Sequence, residues 1–283
     1  MVLFSDFLSD ERCISGFLCN FAEMNIPILQ IQELTTGYIS GRHRHIVGQG
    51  LTAALSSGSF TALIGTNGAG KSTLLRTLVG LQPPLEGQVV WQGRAVNDYS
   101  RQELSRTLAV VLTQRLAGEG LSVADVVEMG RIPYTGIRGQ LGEKDRAVVT
   151  QAMEVTGVSG LAYRRVSSLS DGERQRVMIA KALAQETPVI LLDEPTAFLD
   201  YPSKVLLFRL LRRLASEHHK TVIMTTHDLE LTFQLAGQLW LLSPEGLTEG
   251  NPADLAATGK LEQFFAGEGL RFDRQHLRFD ITP

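Results

Sequence analysis

Residues 65–73 read GTNGAGKST, a complete phosphate-binding loop, and this stretch decides the fold class. The pattern is a glycine, four further residues, and then Gly70, Lys71 and Ser72. The glycines let the backbone turn tightly with its N–H groups pointing inward, which makes a nest for an anion. Lys71 brings an ammonium group to the β- and γ-phosphates, and the Ser72 hydroxyl reaches a Mg²⁺ ion. By itself the loop fits a kinase, a GTPase or a motor.

The residues on either side of the loop support a strand–loop–helix unit. The apolar run 61–64 predicts a strand that leads into the loop. In the stretch 72–79, Leu74, Leu75 and Leu78 have helical spacing, and Gly80 can end the helix. The positive end of the helix dipole then faces the phosphates.

The composition restricts the class of protein. The chain has 283 residues, enough for one large α/β domain or two small ones. Lys and Arg number 27 against 30 Asp and Glu, a net charge of −3, so we expect no nucleic-acid partner. No apolar stretch approaches the roughly 18–20 residues of a membrane span, so any membrane role depends on a partner. The only cysteines, Cys13 and Cys19, suit a reducing cytosol better than a disulfide framework.

The two ends of the sequence differ from its middle. Residues 1–27 form a predicted extension that is acidic at its start and lacks the basic start of a signal peptide. Our hypothesis is that this extension is non-native or disordered, with Met24 as the natural start. Residues 251–283 are polar and weakly patterned, and we assign this C-terminal extension no function. The domain between them covers residues 28–250.

The first part of that domain has the pattern of antiparallel strands. Leu29 and Ile31 alternate with glutamines, the stretch 51–55 alternates likewise, and another strand runs into a turn at 92–93. The basic run 42–45 fits a solvated hairpin tip better than a metal or phosphate site.

In the second part, strands alternate with helices, which predicts a parallel sheet with right-handed crossovers. A buried strand at 108–113 ends at Gln114, and Ser122 with Asp125 opens a helix through Gly130. Further elements follow as a helix at 143–155, a helix from about 172, a strand at 188–192, a helix at 203–218 and a strand at 221–225. The helical stretch, about 115–171, is an insertion into the core.

Two carboxylates follow the apolar strand 188–192. Asp193 and Glu194 lie at the carboxyl end of a predicted parallel strand, where such sheets bind ligands. Asp193 fits the role of holding Mg²⁺, and Glu194 that of a general base for an attacking water. The alternative is a pair of acids that enters the turn at Pro195.

Other polar residues have two readings each. Ser170 with Glu173 is a capping box, a common helix start, but a capped helix N-terminus with a glycine step also binds anions. His227 ends the strand 221–225 on the ligand side, which favours a contact with the γ-phosphate over the role of an ordinary core or surface residue. Gln114 ends another strand and can reach Mg²⁺ or the attacking water. Tyr38 can stack on a base or can simply be an aromatic at a strand end.

Together these residues resemble the ATP-binding subunit of an ABC transporter. The resemblance covers about residues 28–283, and the motifs occur in the family's order: GTNGAGKST as Walker A, Gln114 as the Q-loop, LSDGE at 169–173 as the signature, VILLDE at 189–194 as Walker B, AFLD at 197–200 as the D-loop, His227 as the switch histidine and Tyr38 as the adenine-stacking aromatic.

The resemblance implies an α/β P-loop fold with a mainly parallel core sheet, an antiparallel β subdomain and an inserted helical subdomain. It also implies that two copies enclose two ATP molecules and drive a membrane permease from the cytoplasmic face, with an extracytoplasmic substrate-binding protein as an indirect partner. One copy supplies its ATP-binding residues, Tyr38, Gly65, Thr66, Asn67, Gly68, Ala69, Gly70, Lys71, Ser72 and Thr73, its Mg²⁺ ligands, Ser72, Gln114 and Asp193, and its catalytic residues, Glu194, His227 and Gln114. The other copy supplies Ser170, Gly172 and Glu173, and Asp200 contacts the partner.

Features outside the ATP-site motifs indicate a subgroup of the family. The stretches 122–127 and 129–134 and the triplet 271–273 are similar to importers of ferric siderophores, haem and vitamin B12. Asp171 and Glu173 depart from the usual glycine and glutamine of the signature, and Asp171 costs electrostatic energy near a triphosphate unless it points away or meets a cation. The alternatives are an importer subunit for another cargo, a non-transport ABC ATPase, and a regulator that does not hydrolyse ATP, against which Glu194 argues.

Overall fold

Two larger β-sheets, a two-stranded sheet formed by the last two strands and a group of helices make up the part of the chain that the computed structural model describes, which is residues 27–41, 43–66, 68–112, 120–136, 139–265, 270–274 and 277–281. The strands are β1 Leu29–Ser40, β2 His43–Leu55, β3 Phe60–Gly65, β4 Glu86–Trp91, β5 Arg94–Ala95, β6 Leu108–Val111, β7 Val189–Leu192, β8 Thr221–Thr225, β9 Gln238–Ser243, β10 Gly246–Gly250, β11 Leu270–Asp273 and β12 Arg278–Ile281. The α-helices are α1 Lys71–Leu78, α2 Arg101–Thr107, α3 Val123–Glu128, α4 Ile132–Thr135, α5 Glu143–Thr156, α6 Asp171–Ala184, α7 Tyr201–Ser216, α8 Leu229–Leu235, α9 Pro252–Ala257 and α10 Lys260–Phe264.

The core sheet has the strand order β10-β9-β3-β8-β7-β6. The pairings β3–β8, β3–β9, β7–β8 and β6–β7 are parallel, and β10 is antiparallel to β9. Every residue of β7 and β8 is buried, as a continuous apolar run in the middle of a parallel sheet requires. The predicted α/β fold with a mainly parallel core sheet is therefore confirmed.

One predicted strand differs from its expectation. The sequence predicts a buried strand at 108–113. Leu108, Ala109 and Val111 are buried, but β6 ends at Val111 and lies at the edge of the core sheet. An edge strand has a neighbour on one side only, and Val110 is 37% exposed while Leu112, just beyond the strand, is 42% exposed. An apolar run alone does not distinguish an edge strand from a central one. Gln114 falls outside the described residues.

A smaller antiparallel sheet, in the order β2-β1-β4-β5, covers the first part of the domain. The alternation predicted for 51–55 is present, because Leu51, Ala53 and Leu55 are buried between exposed neighbours. The sheet packs with α1, and the indole N–H of Trp91 donates to the carbonyl of Leu78 at 2.7 Å. The basic run lies at the β1–β2 hairpin, where residues 43–45 belong to β2 itself.

The inserted helices α3, α5 and α6 bury an apolar cluster of their own. The predicted capping box holds the start of α3, where the Ser122 hydroxyl accepts from the Asp125 N–H at 3.1 Å. Arg131, in the 3₁₀ turn after α3, has a side chain only 3% exposed. It forms ion pairs with Asp145 at 2.9 Å and Glu186 at 2.6 Å, so a buried cation links α5 to the end of α6.

The residues after 250 pack onto the core despite their weak pattern. Leu255, Leu261, Phe265 and Phe272 are buried in the same apolar cluster as the core strands. The ring of Phe272 meets that of Phe233 in α8 edge to face, with 5.7 Å between the centroids. The domain boundaries at 27 and 250 stay predictions, and residues 1–26 fall outside the described ranges.

Candidate active site

The phosphate loop joins the buried strand β3 to helix α1, as the sequence predicts. Gly68 and Gly70 have φ angles of 82° and 96°, in the left-handed region that glycine adopts without strain. A Cβ atom at Gly70 would also lie 2.4 Å from Cγ1 of Val47 in β2. Conformation and space therefore both require glycine at position 70. Asn67, in the same loop, falls outside the described residues.

Lys71 is buried at the start of α1 and points its ammonium group back along the loop. Its Nζ donates to the carbonyl oxygens of Gly65 at 2.7 Å and Thr66 at 3.3 Å. Burial lowers the pKa of Lys71, while the charges of Glu194 and Asp193 act in the opposite direction. The carboxylates after β7 thus lie close enough to act on the loop lysine. Ser72 is exposed in the first turn of the helix.

The ends of β7 and β8 are joined by a threonine that sequence reasoning missed. Thr225 is fully buried at the end of β8, and its hydroxyl donates to Oδ1 of Asp193 at 2.8 Å. The same hydroxyl accepts from the backbone N–H of Glu194 at 2.7 Å. One side chain therefore positions the carboxylate of Asp193 and the backbone from which the Glu194 carboxylate extends. The sequence signal that could have identified Thr225 was a polar residue at the end of the apolar run 222–224, two positions before the predicted His227.

His227 and Glu194 are brought together by the same neighbouring strand ends. Nε2 of His227 lies 3.0 Å from Oε1 of Glu194. Glu194 has a φ angle of 46°, an uncommon value for a residue other than glycine. Such conformations cost free energy and concentrate where function requires them. The structure thus places the predicted base and the predicted switch histidine in direct contact.

The signature residues lie at the start of α6, where local bonds hold them. The Ser170 hydroxyl accepts from the Glu173 N–H at 3.2 Å, and the Ser170 N–H donates to Oε2 of Glu173 at 2.9 Å. The predicted capping box is therefore present. A Cβ atom at Gly172 would lie 2.9 Å from the hydroxyl oxygen of Ser203 in α7, so glycine also permits the close approach of these helices.

The remaining predicted site residues lie on two separate elements. Tyr38 is 54% exposed in β1, and its ring stacks on that of His45 at 5.0 Å between centroids. His45 lies two residues before Val47, whose side chain is the one that faces Gly70 of the phosphate loop. Asp200 caps α7 and accepts from the Ser203 N–H at 3.0 Å. Hydrogen bonds from the side chain and then the backbone of Ser203 lower the pKa of Asp200. The stacking role of Tyr38 and the partner contact of Asp200 stay predictions.

The comparison with protein families agrees with this geometry. Residues 49–197 match the family model described as ABC transporter. The chain is 41% identical to the achromobactin transport ATP-binding protein of Dickeya dadantii, over 79% of this chain and 82% of that protein. It is 36% identical to the ferric enterobactin transport ATP-binding protein of Escherichia coli, over 87% and 89% of the two chains. It is also 43% identical to the cobalamin import ATP-binding protein of Halobacterium salinarum, over 66% of this chain and 46% of that one.

Solved structures give the same result. A metal-chelate type ABC transporter in an inward-facing conformation is similar with a TM-score of 0.72 and 30% identity, over 84% of this chain and 89% of that one. A dimeric ATP-binding cassette in a post-hydrolysis state, bound to ADP and Pi, is similar with a TM-score of 0.68 and 27% identity, over 79% and 98%. Within the described ranges, none of the helices has the length and apolar character that crossing a membrane requires.

Proposed function

Because this chain belongs to the ABC transporter family of ATP-binding proteins, we propose that it is the ATPase of an importer for a metal chelate or cobalamin. The observation that carries the ATPase assignment is the contact of Glu194 with His227 beside a phosphate-loop lysine that both carboxylates influence. The importer assignment is supported by the similarity to transport and import ATP-binding proteins. A carboxylate, an imidazole and an ammonium group then lie together at the carboxyl ends of neighbouring strands of the core sheet.

The chemistry that we propose is the attack of water on the γ-phosphorus of ATP. A bond to the water oxygen forms, the bond to the oxygen bridging the β- and γ-phosphates breaks, and ADP leaves with that oxygen. Lys71 and the N–H groups of the loop bind the phosphates, and Glu194 takes a proton from the attacking water. His227 orients the Glu194 carboxylate and contacts the γ-phosphate. Gln114, for which the sequence predicts contact with the water or Mg²⁺, lies outside the described residues.

The residues present fit Mg²⁺. This ion prefers oxygen ligands and is often held by one or two carboxylates together with phosphate oxygens. Asp193 and the exposed hydroxyl of Ser72 supply such oxygens. Within the described part of the chain, there is no group of three or more His, Cys, Asp or Glu side chains that could hold a metal ion. When bound, Mg²⁺ neutralises charge that develops on the phosphates.

A second copy of the chain completes the site in our proposal. The hydrogen bonds of Ser170 and Glu173 are made within the signature segment itself. On the resemblance to the family, Ser170, Gly172 and Glu173 are assigned to the ATP held by the partner copy, and Asp200 to the contact between copies. The dimeric cassette bound to ADP and Pi supports this arrangement, in which ATP closes the dimer and hydrolysis opens it.

Exposed apolar side chains at the β6 edge of the core sheet and on α4 form a surface that suits contact with a permease. Val110 and Leu112 are exposed there, and Ile132 and Tyr134 of α4 are 56% and 38% exposed. The α4 residues are held beside α2, the helix that leads into β6, because the Arg106 guanidinium donates to the carbonyl of Pro133 at 2.8 Å. We propose that these apolar side chains contact the permease at the cytoplasmic face of the membrane. An extracytoplasmic substrate-binding protein is then an indirect partner.

The test of the catalytic assignment is the Glu194→Gln variant. We expect turnover to fall by at least about 100-fold while the affinity for ATP stays within about twofold, because the amide keeps the shape but accepts no proton. Hydrolysis at the wild-type rate would refute the assignment of Glu194 as the base.

For the cargo, the chain is purified with its permease and uptake into vesicles is measured with ferric siderophore, haem and cobalamin. A chain that associates with no membrane protein would contradict the importer assignment.

A further inference from the structure

The signature segment contains an acid that the family pattern does not have, and one arginine bonds both residues that flank Ser170. Nη1 of Arg174 lies 2.6 Å from Oδ1 of Asp171. Nη2 of the same guanidinium donates to the carbonyl oxygen of Leu169 at 2.9 Å. Leu169 precedes Ser170 and Asp171 follows it, so Arg174 spans the turn that presents the Ser170 hydroxyl.

The charge at this turn requires compensation. Asp171 and Glu173 place two carboxylates in the first turn of α6. In a closed dimer that turn faces the triphosphate of the partner copy, and like charges at short range repel each other. Each acid has an arginine nearby, because Arg164 lies 3.6 Å from Glu173 while Arg174 pairs with Asp171.

The geometry is one that arginine makes and lysine does not. A planar guanidinium presents donors in fixed directions, so two of its nitrogens can bind two acceptors at once. Arg174 is only 24% exposed, whereas Asp171 is 48% exposed. The cation therefore lies under the turn, and the carboxylate is held back against it.

We propose that Arg174 is a positioning residue for ATP-driven dimer closure, and we call its bonds to Leu169 and Asp171 the clamp. It holds the Leu169–Asp171 turn so that Ser170 faces the γ-phosphate of the partner copy, and it cancels the charge of Asp171 there. This inference rests on the proposed ATP-dependent dimer. It explains how a signature with aspartate in place of glycine accepts a triphosphate.

The experiment measures ATP-dependent dimerisation in the Glu194→Gln background by sedimentation velocity, with ATP and Mg²⁺. Arg174→Ala is expected to weaken the dimer by about tenfold, because Asp171 then faces the triphosphate unpaired. Removing the acid as well, in the double variant Asp171→Gly with Arg174→Ala, is expected to restore most of the loss. Arg174→Lys should be intermediate, since it keeps the charge but makes only one of the two bonds.

Two further readouts separate this role from a general loss of structure. ATP affinity of the monomer, measured with a fluorescent ATP analogue, should stay within about twofold in every variant, because the clamp acts on the partner's nucleotide. The defect of Arg174→Ala relative to its parent should shrink between about 0.1 M and 1 M salt, as the Debye length falls from about 10 Å to 3 Å. Arg212→Ala, an exposed arginine of α7, is the matched control and should dimerise like the parent.

The outcomes distinguish the clamp from the function on which it rests. If the parent dimerises and Arg174→Ala dimerises equally well, the clamp is refuted and the proposed function stands. If the double variant is as weak as Arg174→Ala, charge cancellation is refuted. If the Glu194→Gln parent stays monomeric with ATP, the proposed dimer fails and the clamp fails with it.

Discussion

Replacing Thr225 by valine tests whether one hydroxyl positions both carboxylates of the active site. Valine has nearly the same shape, so the change removes the hydroxyl and leaves the packing of β8 intact. The variant loses the 2.8 Å bond to Asp193 and leaves the Glu194 N–H without its 2.7 Å acceptor.

The size of the effect follows from these two bonds. A hydrogen bond to a charged group contributes about 1.5–3 kcal/mol, and a polar group that loses its partner on burial costs about 1–3 kcal/mol. Asp193 and Glu194 are only half-buried, so we take the lower end of each range and expect about 2.5 kcal/mol in total. For a domain of this size that corresponds to a decrease in Tm of roughly 5–10 °C.

The rate of ATP hydrolysis should decrease by more than the loss of folded protein at the assay temperature explains. The Thr225→Val variant leaves the Glu194 backbone unanchored in its left-handed conformation, so the base moves relative to the attacking water. A displacement of about 1 Å can cost on the order of 100-fold in rate, and we expect a 10- to 100-fold decrease in kcat. The measurements are urea unfolding followed by circular dichroism, and ATP turnover at a temperature where the variant is folded.

A matched control lies on the neighbouring strand. Thr61 of β3 is fully buried beside β8, and its hydroxyl has no hydrogen-bond partner in the described part of the structure. Thr61→Val removes the same atom without removing a bond, and should be neutral or slightly stabilising. If both valine variants unfold at the same urea concentration and hydrolyse ATP at the wild-type rate, the positioning role of Thr225 is wrong.

Three further predictions concern the phosphate loop, the stacking of Tyr38 on adenine and the contact with the permease. Gly70→Ala should reduce ATP affinity by at least about tenfold, because position 70 combines a left-handed φ with the contact to Val47; Gly93→Ala, which has a similar φ angle of 79° but no atom within 4 Å of the added Cβ, should bind ATP normally. Tyr38→Ala should weaken ATP binding by about 3- to 10-fold if the ring stacks on adenine, whereas loss of the 96% exposed Tyr163 should change nothing, and equal affinities would exclude the stacking role. Val110→Asp should prevent co-purification with the permease while the isolated chain hydrolyses ATP at its normal basal rate, because a charge at the sheet edge disfavours an apolar contact.

Several elements were predictable because their determinants are adjacent in the chain. The phosphate loop needs only a strand, its glycines and Lys71 in a row, and the helix starts at Ser122 and Ser170 need only a side chain and an N–H three residues apart. The strands 189–192 and 221–225 were readable from continuous apolar runs. The edge position of β6 could not be predicted, because three of its four residues are buried and its apolar run has the same composition as that of a central strand.

The sequence by itself determined that this chain has a phosphate loop, an acidic strand end and a capped helix start, and hence the chemistry available to it. Only the tertiary structure decided which of these groups meet. The parallel pairing of β7 with β8 brings Thr225 to Asp193 and Glu194, and His227 to Glu194, across more than 30 positions of sequence. That pairing depends on the strand order of the whole sheet, and no local pattern contains it. The partner of Asp171, in contrast, is three residues away, but its effect on Ser170 depends on where the Arg174 side chain points.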